Sequence, residues 1–324
     1  MTDASPEAKV KDEAPPKSKR EDKKTDEDKK DKDGEKEQVE AAKADDDEEA
    51  DQPPKKSSKK SSPLDWLLSD EAFDLANPEI PEGHGEIDYE EGQQRKTPPE
   101  SDIDTKPSNA DKEAVLRYPR SRLTPFQNLV AASILSKPLS HKLGHRTIQT
   151  LLNPPFSLRT LHDLDEAGYE GRRKVMWEAR TQHKERTASL LGDLCDGIKD
   201  LCGEDEEDLS ELAGVHEKIK GVKAPEEAQK TIVDTLTKIK GIGPGVASIF
   251  LRRVQRDWEE VFPYIDDRSL KAAKAFGLVS EDEGATELKG KVGGDREKYV
   301  RLVDVLVGLE LEKKVDEAMK AAGV

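Results

Sequence analysis

Two helical segments meet at a tight turn in residues 236–247, which read LTKIKGIGPGVA. Glycine reaches backbone conformations that other residues are denied, so the Gly-Ile-Gly sequence suits a sharp turn. The proline that follows fits the first turn of a helix, where free N–H groups attract an anion. We therefore predict a pair of helices whose turn approaches a phosphate group through Gly241, Gly243, Gly245 and Val246.

Other residues of this stretch support the same interpretation. Lys238 and Lys240 flank the turn, and their charges would add to the attraction for a nucleic-acid backbone. Ile239 and Val246 are spaced to pack the two helices together. The alternative is a plain antiparallel helix pair with a glycine stop and no ligand. The full pattern, with small Ala247 where helices would cross closely, favours phosphate binding.

Helical periodicity extends on both sides of this turn, from about residue 112 to the end of the chain. The segment LTPFQNLVAASILS places Thr124 as an N-cap and Pro125 at the first helical position. Another helix is predicted to start with Ser157 as its cap, and residues 172–201 form one long helix or two joined ones. Because no alternating strand pattern interrupts these segments, we predict an all-α domain over residues 112–324.

Charge divides the chain into two unequal parts. The 324 residues carry a formal net charge of −16, of which residues 1–110 contribute −14 and residues 111–324 contribute −2. The N-terminal third is too polar to bury a core, so we predict a disordered charged tail and linker over residues 1–111. One apolar island in it, residues 63–74, is a candidate for docking on a protein partner or on the folded domain, or a marginal helix without a role.

Composition excludes several classes of protein. No stretch approaches the roughly 20 apolar residues that cross a bilayer, so we expect no membrane partner. The N-terminus has no apolar run of the kind that a secretory signal needs. Cys195 and Cys202 are too few for a disulfide framework, and the six histidines show no metal-ligand spacing. We expect no metal and no cofactor, and we expect a reducing compartment.

The segment that follows the glycine turn completes a recognisable order of features. After the second helix come VFPYIDD, residues 261–267, and the helical sequence RSLKAAKAFGLV. The turn resembles the helix-hairpin-helix motif. The whole block is similar to the HhH-GPD superfamily of base-excision DNA glycosylases, and the similarity spans about residues 120–280. It implies an HhH-GPD DNA glycosylase-like helical domain without an iron–sulfur cluster, and double-stranded DNA as the partner.

The resemblance also implies a reaction, the hydrolysis of the N-glycosidic bond of a damaged base that is flipped into a pocket. A carboxylate beside the sugar would stabilise the developing cation or activate a water, and Asp266 and Asp267 are both candidates. Either aspartate also suits a helix cap. Tyr264, next to them, is the candidate wall of the base pocket. Bifunctional members form a Schiff base through a lysine where this chain has Gly245, so a monofunctional glycosylase is implied.

The sequence leaves alternatives open for the function and for the location of the protein. Where the family often has Gln-Gln to fill the gap left by the flipped base, this chain has Lys137-Pro138, which suits a phosphate better than a base stack. The rivals to the glycosylase are a non-catalytic DNA-binding protein and a repair scaffold that recruits partners through residues 63–74. Basic clusters beside prolines, at residues 17–20 and 53–62, resemble nuclear-import signals and favour the nucleus, although solvated charge runs look the same.

Overall fold

The chain folds into helices connected by short loops. The computed structural model describes residues 62–80 and 115–324, and within these ranges it contains helices and no strand, which confirms the predicted all-α class. The helices in chain order are α1 (Pro63–Leu67), α2 (Asp70–Ala76), α3 (Pro125–Leu135), α4 (His141–Leu152), α5 (Leu161–Glu166), α6 (Gly168–Glu178), α7 (Lys184–Cys202), α8 (Glu206–Glu211), α9 (Ala213–His216), α10 (Pro225–Leu236), α11 (Pro244–Val254), α12 (Asp267–Ala275), α13 (Ala285–Lys291), α14 (Arg296–Leu311) and α15 (Val315–Ala322).

Side-chain caps determine where several helices begin. The hydroxyl of Thr124 accepts a hydrogen bond from the Gln127 N–H and Pro125 occupies the first turn of α3, as predicted. Helix α5 begins later than predicted, because Thr160 is its cap and accepts from the Asp163 N–H at 3.0 Å. Ser157 was the wrong cap, since its φ of +47° places it in a turn before the helix.

The predicted helical stretch 172–201 belongs to two helices, α6 and α7. Two residues between them, Arg180 and His183, have positive φ values of 51° and 53°. Side chains other than glycine adopt this left-handed conformation only singly, so it ends one helix and redirects the chain before the next. Of the two alternatives left open by the sequence, two joined helices is the correct one.

Buried apolar side chains form two clusters, and α11 belongs to the first of them. That cluster contains residues of α3, α4, α6, α7, α10 and α11, with Phe126 and Phe250 among its largest members. The second cluster contains residues of α12, α14 and α15, and Phe276 and Tyr299 are among its buried members. The cavity described below opens between α11 of the first cluster and α12 and α14 of the second.

The apolar island 63–74 lies on the chain's own second cluster. Trp66, Leu67 and Phe73 are buried there. The side chain of Arg301 donates to the carbonyl oxygens of Leu68 and Ser69 at 3.0 Å each, which ties the loop between α1 and α2 to α14. Residues 62–80 are therefore part of the helical domain and not of a tail. Of the alternatives that the sequence left open for this island, docking on the folded domain is the one that the structure shows.

Other expectations for the N-terminal third fall outside the part of the chain that the structure describes. The basic cluster at 17–20 lies there, as does the cluster at 53–62 except for Ser62, which caps α1. Among the helices that are described, none is long and apolar enough to cross a membrane.

Close packing of α2 on α14 gives a test of this arrangement. A Cβ at Gly308 would lie 2.7 Å from the carbonyl oxygen of Ala76, a backbone atom that cannot move aside independently. We expect Gly308→Ala to push α2 away and to lower the free energy of unfolding by about 1–3 kcal/mol. The matched control is Gly290→Ala in α13, where an added Cβ meets no atom within 4 Å. Urea unfolding of both full-length variants measures the difference, and equal stabilities would contradict the packing.

Candidate functional site

The predicted hairpin is present between α10 and α11. Gly241 has a φ of +87°, and a Cβ on it would lie 2.3 Å from Cδ2 of Leu190, so glycine is required at this turn. Helix α11 then begins at Pro244 with Gly243 as its N-cap, and no side chain bonds to its first turn. Pro244 has no N–H, and the N–H groups of Val246 and Ala247 donate to the carbonyl oxygen of Gly243. Of the N–H groups in this turn, that of Gly245 is therefore the one left open to an external acceptor.

Val246 has the packing role that was predicted for it, but not the phosphate-binding role. Its side chain is only 3% exposed and belongs to the first cluster. Its N–H already donates to the carbonyl oxygen of Gly243 at 3.0 Å. Val246 therefore packs the hairpin and does not offer its amide to a phosphate.

The two lysines of the hairpin lie beside acidic side chains of α7. Lys238 and Lys240 line one shallow depression together with the acidic side chains of Asp193, Asp196 and Asp200 on α7. The Lys240 ammonium lies 3.0 Å from the Asp193 carboxylate. Their charges are partly balanced within the protein, which weakens the expected attraction for a phosphate.

Four of the predicted site residues come together in one cavity. The cavity has a volume of about 640 Å³, and Lys137, Gly245, Asp266 and Asp267 all contribute to its lining. They come from the α3–α4 loop and from the first turns of α11 and α12. The volume lies within the range of 300–1,000 Å³ that is typical of small-molecule sites. The cavity is thus built from chain segments more than 100 residues apart.

Asp266 is the N-cap of α12, and protein groups surround its carboxylate. One oxygen, Oδ1, accepts from the N–H groups of Arg268 and Ser269 at 3.1 Å each. The other, Oδ2, accepts from the Ser269 hydroxyl at 2.9 Å and from the Arg252 guanidinium at 3.1 Å. Burial acts to raise the pKa of Asp266, but the Arg252 charge and the Ser269 hydrogen bonds hold it below the ordinary value of 3.8. The carboxylate is therefore ionised at neutral pH.

Asp267 differs from its neighbour in exposure and in hydrogen bonding. It is the first residue of α12, its side chain is exposed, and no residue in the described ranges hydrogen-bonds its carboxylate. Both aspartates line the cavity, but only Asp266 is anchored to the protein.

Tyr264 does not line the cavity itself but contacts Ser248, a residue that does. Its hydroxyl bonds to the hydroxyl of Ser248 at 2.8 Å, and Ser248 is the residue that reaches the cavity. Its backbone is fixed by the side chain of Gln255, which accepts from the Tyr264 N–H at 2.7 Å. Burial raises the pKa of the Tyr264 phenol. The predicted pocket residue therefore supports the wall through Ser248.

A group of aromatic and titratable residues that the sequence analysis missed completes the lining. The rings of His141 and His145 meet edge to face with centroids 4.0 Å apart, and Tyr118 lies 5.2 Å from His145. His145 is 5% exposed, and burial, aided by the charges of His141, Arg252 and Arg253, lowers its pKa well below 6.5. The two histidines are four residues apart in α4, a spacing that is also common among surface residues. The sequence alone therefore did not identify them as site residues.

Two consecutive arginines of α11 are buried at this site, and Arg252 contributes to the cavity lining. Arg252 pairs with Asp266, and Arg253 forms a close ion pair with Asp304 of α14. Arg253 also donates to the carbonyl oxygen of Pro119 at 2.9 Å, which holds the loop that carries Tyr118. Burial acts to lower the pKa of Arg252, yet the nearby Tyr118, Asp266 and Asp304 raise it above the ordinary value, so this guanidinium stays charged.

Comparison with known proteins adds no identification to this geometry. The chain matches no protein-family model, and no curated protein sequence matches it. Within the described ranges, no group of three or more histidine, cysteine, aspartate or glutamate side chains is arranged to hold a metal ion.

The Arg252–Asp266 pair predicts a pH-dependent contribution to stability. The folded-state pKa of Asp266 is depressed, so its stabilising effect is present above about pH 4 and is lost as the pH falls further. We expect Asp266→Asn to lower the free energy of unfolding by about 3 kcal/mol at pH 7, because Arg252 loses its charged partner. The deficit relative to wild type should shrink as the pH is lowered from 6 to 3.

Urea unfolding at a series of pH values measures this dependence. Asp267→Asn is the control, and at pH 7 it should change the free energy of unfolding by no more than about 0.5 kcal/mol. A deficit for Asp266→Asn that stays constant between pH 6 and 3 would show that the ion pair does not contribute as described.

Proposed function

We propose that the chain is a DNA-binding base-excision repair protein with an HhH-GPD-like fold, and that it acts as a monofunctional DNA glycosylase. The observation that carries the proposal is the ionised Asp266 in a cavity whose rim includes Gly245 of the hairpin. A negative charge fixed beside a pocket suits a reaction in which a sugar becomes positively charged as its base departs.

Each part of the site has a place in this function. The start of α11, with no side-chain cap at Gly243, would hold a backbone phosphate. Lys137 lines both the cavity and a small depression beside Gly241, so its ammonium lies where a second phosphate would pass. The flipped base would enter the cavity, and Asp266 would face its sugar. Gly245 replaces the Schiff-base lysine of bifunctional enzymes, which supports hydrolysis without strand cleavage.

The second candidate is a protein that binds DNA through the hairpin without releasing a base. Two observations favour it. The guanidinium of Arg252 neutralises much of the charge of Asp266. The loop has Lys137-Pro138, and a lysine fills a gap in the base stack poorly. The predicted nuclear location stays a prediction for both candidates.

Base release from damaged duplexes separates the two candidates. The panel contains uracil, alkylated purines, oxidised guanine and mismatched thymine, and alkali-dependent strand cleavage reports each abasic site. We expect wild type to release at least one base and Asp266→Asn to be at least about 100-fold slower, because it loses the charge beside the sugar. Asp267→Asn should stay within about threefold of wild type.

The assay is run at a temperature where unfolding curves show each variant to be folded. Loss of base release in Asp267→Asn but not in Asp266→Asn would show that Asp267, and not Asp266, stabilises the sugar cation. Salt-sensitive DNA binding without release of any base would favour the non-catalytic candidate.

An added lysine provides an independent test of the site. A Cβ at Gly245 meets no atom within 4 Å, and this residue lines the same cavity as Asp266. On a duplex with an abasic site, the amine of Gly245→Lys should condense with the C1′ aldehyde and lose water, and borohydride should reduce the imine to a stable protein–DNA adduct. Gly290→Lys, at a position equally open but outside the cavity, is the control.

Wild type must be tested in the same way, because Lys137 also lines the cavity and burial lowers the pKa of its ammonium. We expect no adduct with wild type. A wild-type adduct that Lys137→Gln abolishes would contradict the monofunctional assignment. Equal trapping by Gly245→Lys and Gly290→Lys would contradict the location of the site.

A further inference from the structure

In hydrolysis, the attacking water gives up a proton. The cavity contains a side chain that is better suited than Asp266 to accept this proton. We propose that His141, oriented by Glu312, accepts this proton, while Asp266 acts through its negative charge alone. This inference rests on the proposed glycosylase function and assigns a second residue to the same site.

The hydrogen bonds of Asp266 leave it without a free acceptor position. A carboxylate offers about four lone-pair sites. Two N–H groups occupy Oδ1, and the Ser269 hydroxyl and the Arg252 guanidinium occupy Oδ2. To bind a water, Asp266 would have to give up a cap bond of α12 or the partner of a buried arginine. Its depressed pKa also makes it a weak base.

His141 has the arrangement that Asp266 lacks. Its Nδ1 lies 3.0 Å from Oε1 of Glu312, the C-cap residue of α14. A carboxylate accepts a hydrogen bond, so Nδ1 carries the proton and Nε2 keeps its lone pair. No residue of the described chain hydrogen-bonds Nε2, and the ring lines the cavity together with Asp266. A neutral imidazole held by a carboxylate is a general base in its resting state.

The groups around His141 keep it neutral near pH 7. His145 contacts it within α4, Arg252 faces it from α11, and Asp304 and Glu312 face it from α14 and its end. Burial lowers the pKa of His141 most strongly, and Arg252 adds to that effect. Glu312 and Asp304 act in the opposite direction without cancelling it, so the pKa lies below 6.5.

The proposed step balances as a hydrolysis. The bond between C1′ and the base nitrogen breaks, and both electrons leave with the base. The water oxygen bonds to C1′ of the sugar cation, whose charge Asp266 stabilises, and one water proton passes to Nε2 of His141. The imidazolium then returns this proton to the departed base or to solvent. Glu312 is a positioning residue, because it acts only through the ring of His141.

The rate of base release as a function of pH tests the assignment. The substrate is the panel duplex that wild type cleaves fastest, measured under single-turnover conditions between pH 5 and 8. Because neutral His141 is the reactive form, the wild-type rate should rise with pH below 6.5 and then level off. His141→Gln should lose about 100-fold in rate together with this rise.

Glu312→Gln should move the same rise to lower pH, because the Glu312 charge raises the pKa of His141. The matched control is His162→Gln, which removes a histidine that also pairs with a glutamate, Glu166 at 3.1 Å, but lies exposed on the surface. We expect its rate and its pH profile to equal those of wild type.

A second measurement separates charge stabilisation from proton transfer. Two undamaged duplexes are prepared in which one nucleotide is replaced by either a cationic pyrrolidine or a neutral tetrahydrofuran, and affinity is measured by fluorescence anisotropy. Wild type should prefer the cationic sugar analogue. Asp266→Asn should lose about tenfold or more of that preference, because it removes a negative charge that attracts the cation. His141→Gln should keep the preference, because it leaves the charge of Asp266 in place.

The outcomes distinguish this inference from the function on which it rests. Base release by His141→Gln within about threefold of wild type, with the pH profile unchanged, overturns the inference and leaves the glycosylase intact. Loss of the pyrrolidine preference in His141→Gln also overturns it, since the variant would then have disturbed the whole site. No base release by wild type from any duplex overturns the proposed function and this inference together.

Discussion

The buried arginine pair at the end of α11 is the constraint on which the rest of the structure depends. Helix α11 belongs to the first apolar cluster, but Arg252 and Arg253 pair with carboxylates on α12 and α14 of the second. A guanidinium out of water is tolerated only when it has charged partners, so each arginine fixes the position of its carboxylate. The two clusters are therefore joined by charge as well as by apolar contact, and the cavity lies at this junction.

The same constraint shapes the chemistry that the cavity can support. Asp266 has to cap α12 and neutralise Arg252, so it is held ionised in one orientation. A fixed charge is well suited to stabilising a cation, because no reorganisation is needed as that cation forms. It is poorly suited to exchanging protons with water. A site built around Asp266 thus separates stabilisation of the cation from transfer of the proton. Asp266 provides the first, and His141, held by Glu312, provides the second.

The parts of this arrangement that the sequence predicted are local. The glycine turn, the Thr124 cap and the aspartate at the start of α12 follow from the conformational limits of a few adjacent residues. The sequence analysis selected Lys137, Gly245 and the two aspartates as site residues, and the structure places all four in the lining of one cavity. The sequence could not predict partners distant in the chain, since Glu312 follows His141 by 171 residues and leaves no periodic signal.

The apolar island at residues 63–74 shows the same limit and has a consequence for the site. By composition it looks like an interruption in a charged tail, and only the second cluster, formed mostly by residues after 260, gives it a place to pack. Just beyond α2, Asn77 lines the cavity, and with Phe73 it lines an adjoining depression that also reaches Tyr118 and His145. Packing of α2 against Gly308 therefore holds in place some of the residues that shield His141 and His145 from water. Removal from water is the main cause of the low pKa values of both histidines. A segment that precedes His141 by more than 60 residues in the chain therefore helps to keep it in the neutral form that can accept a proton.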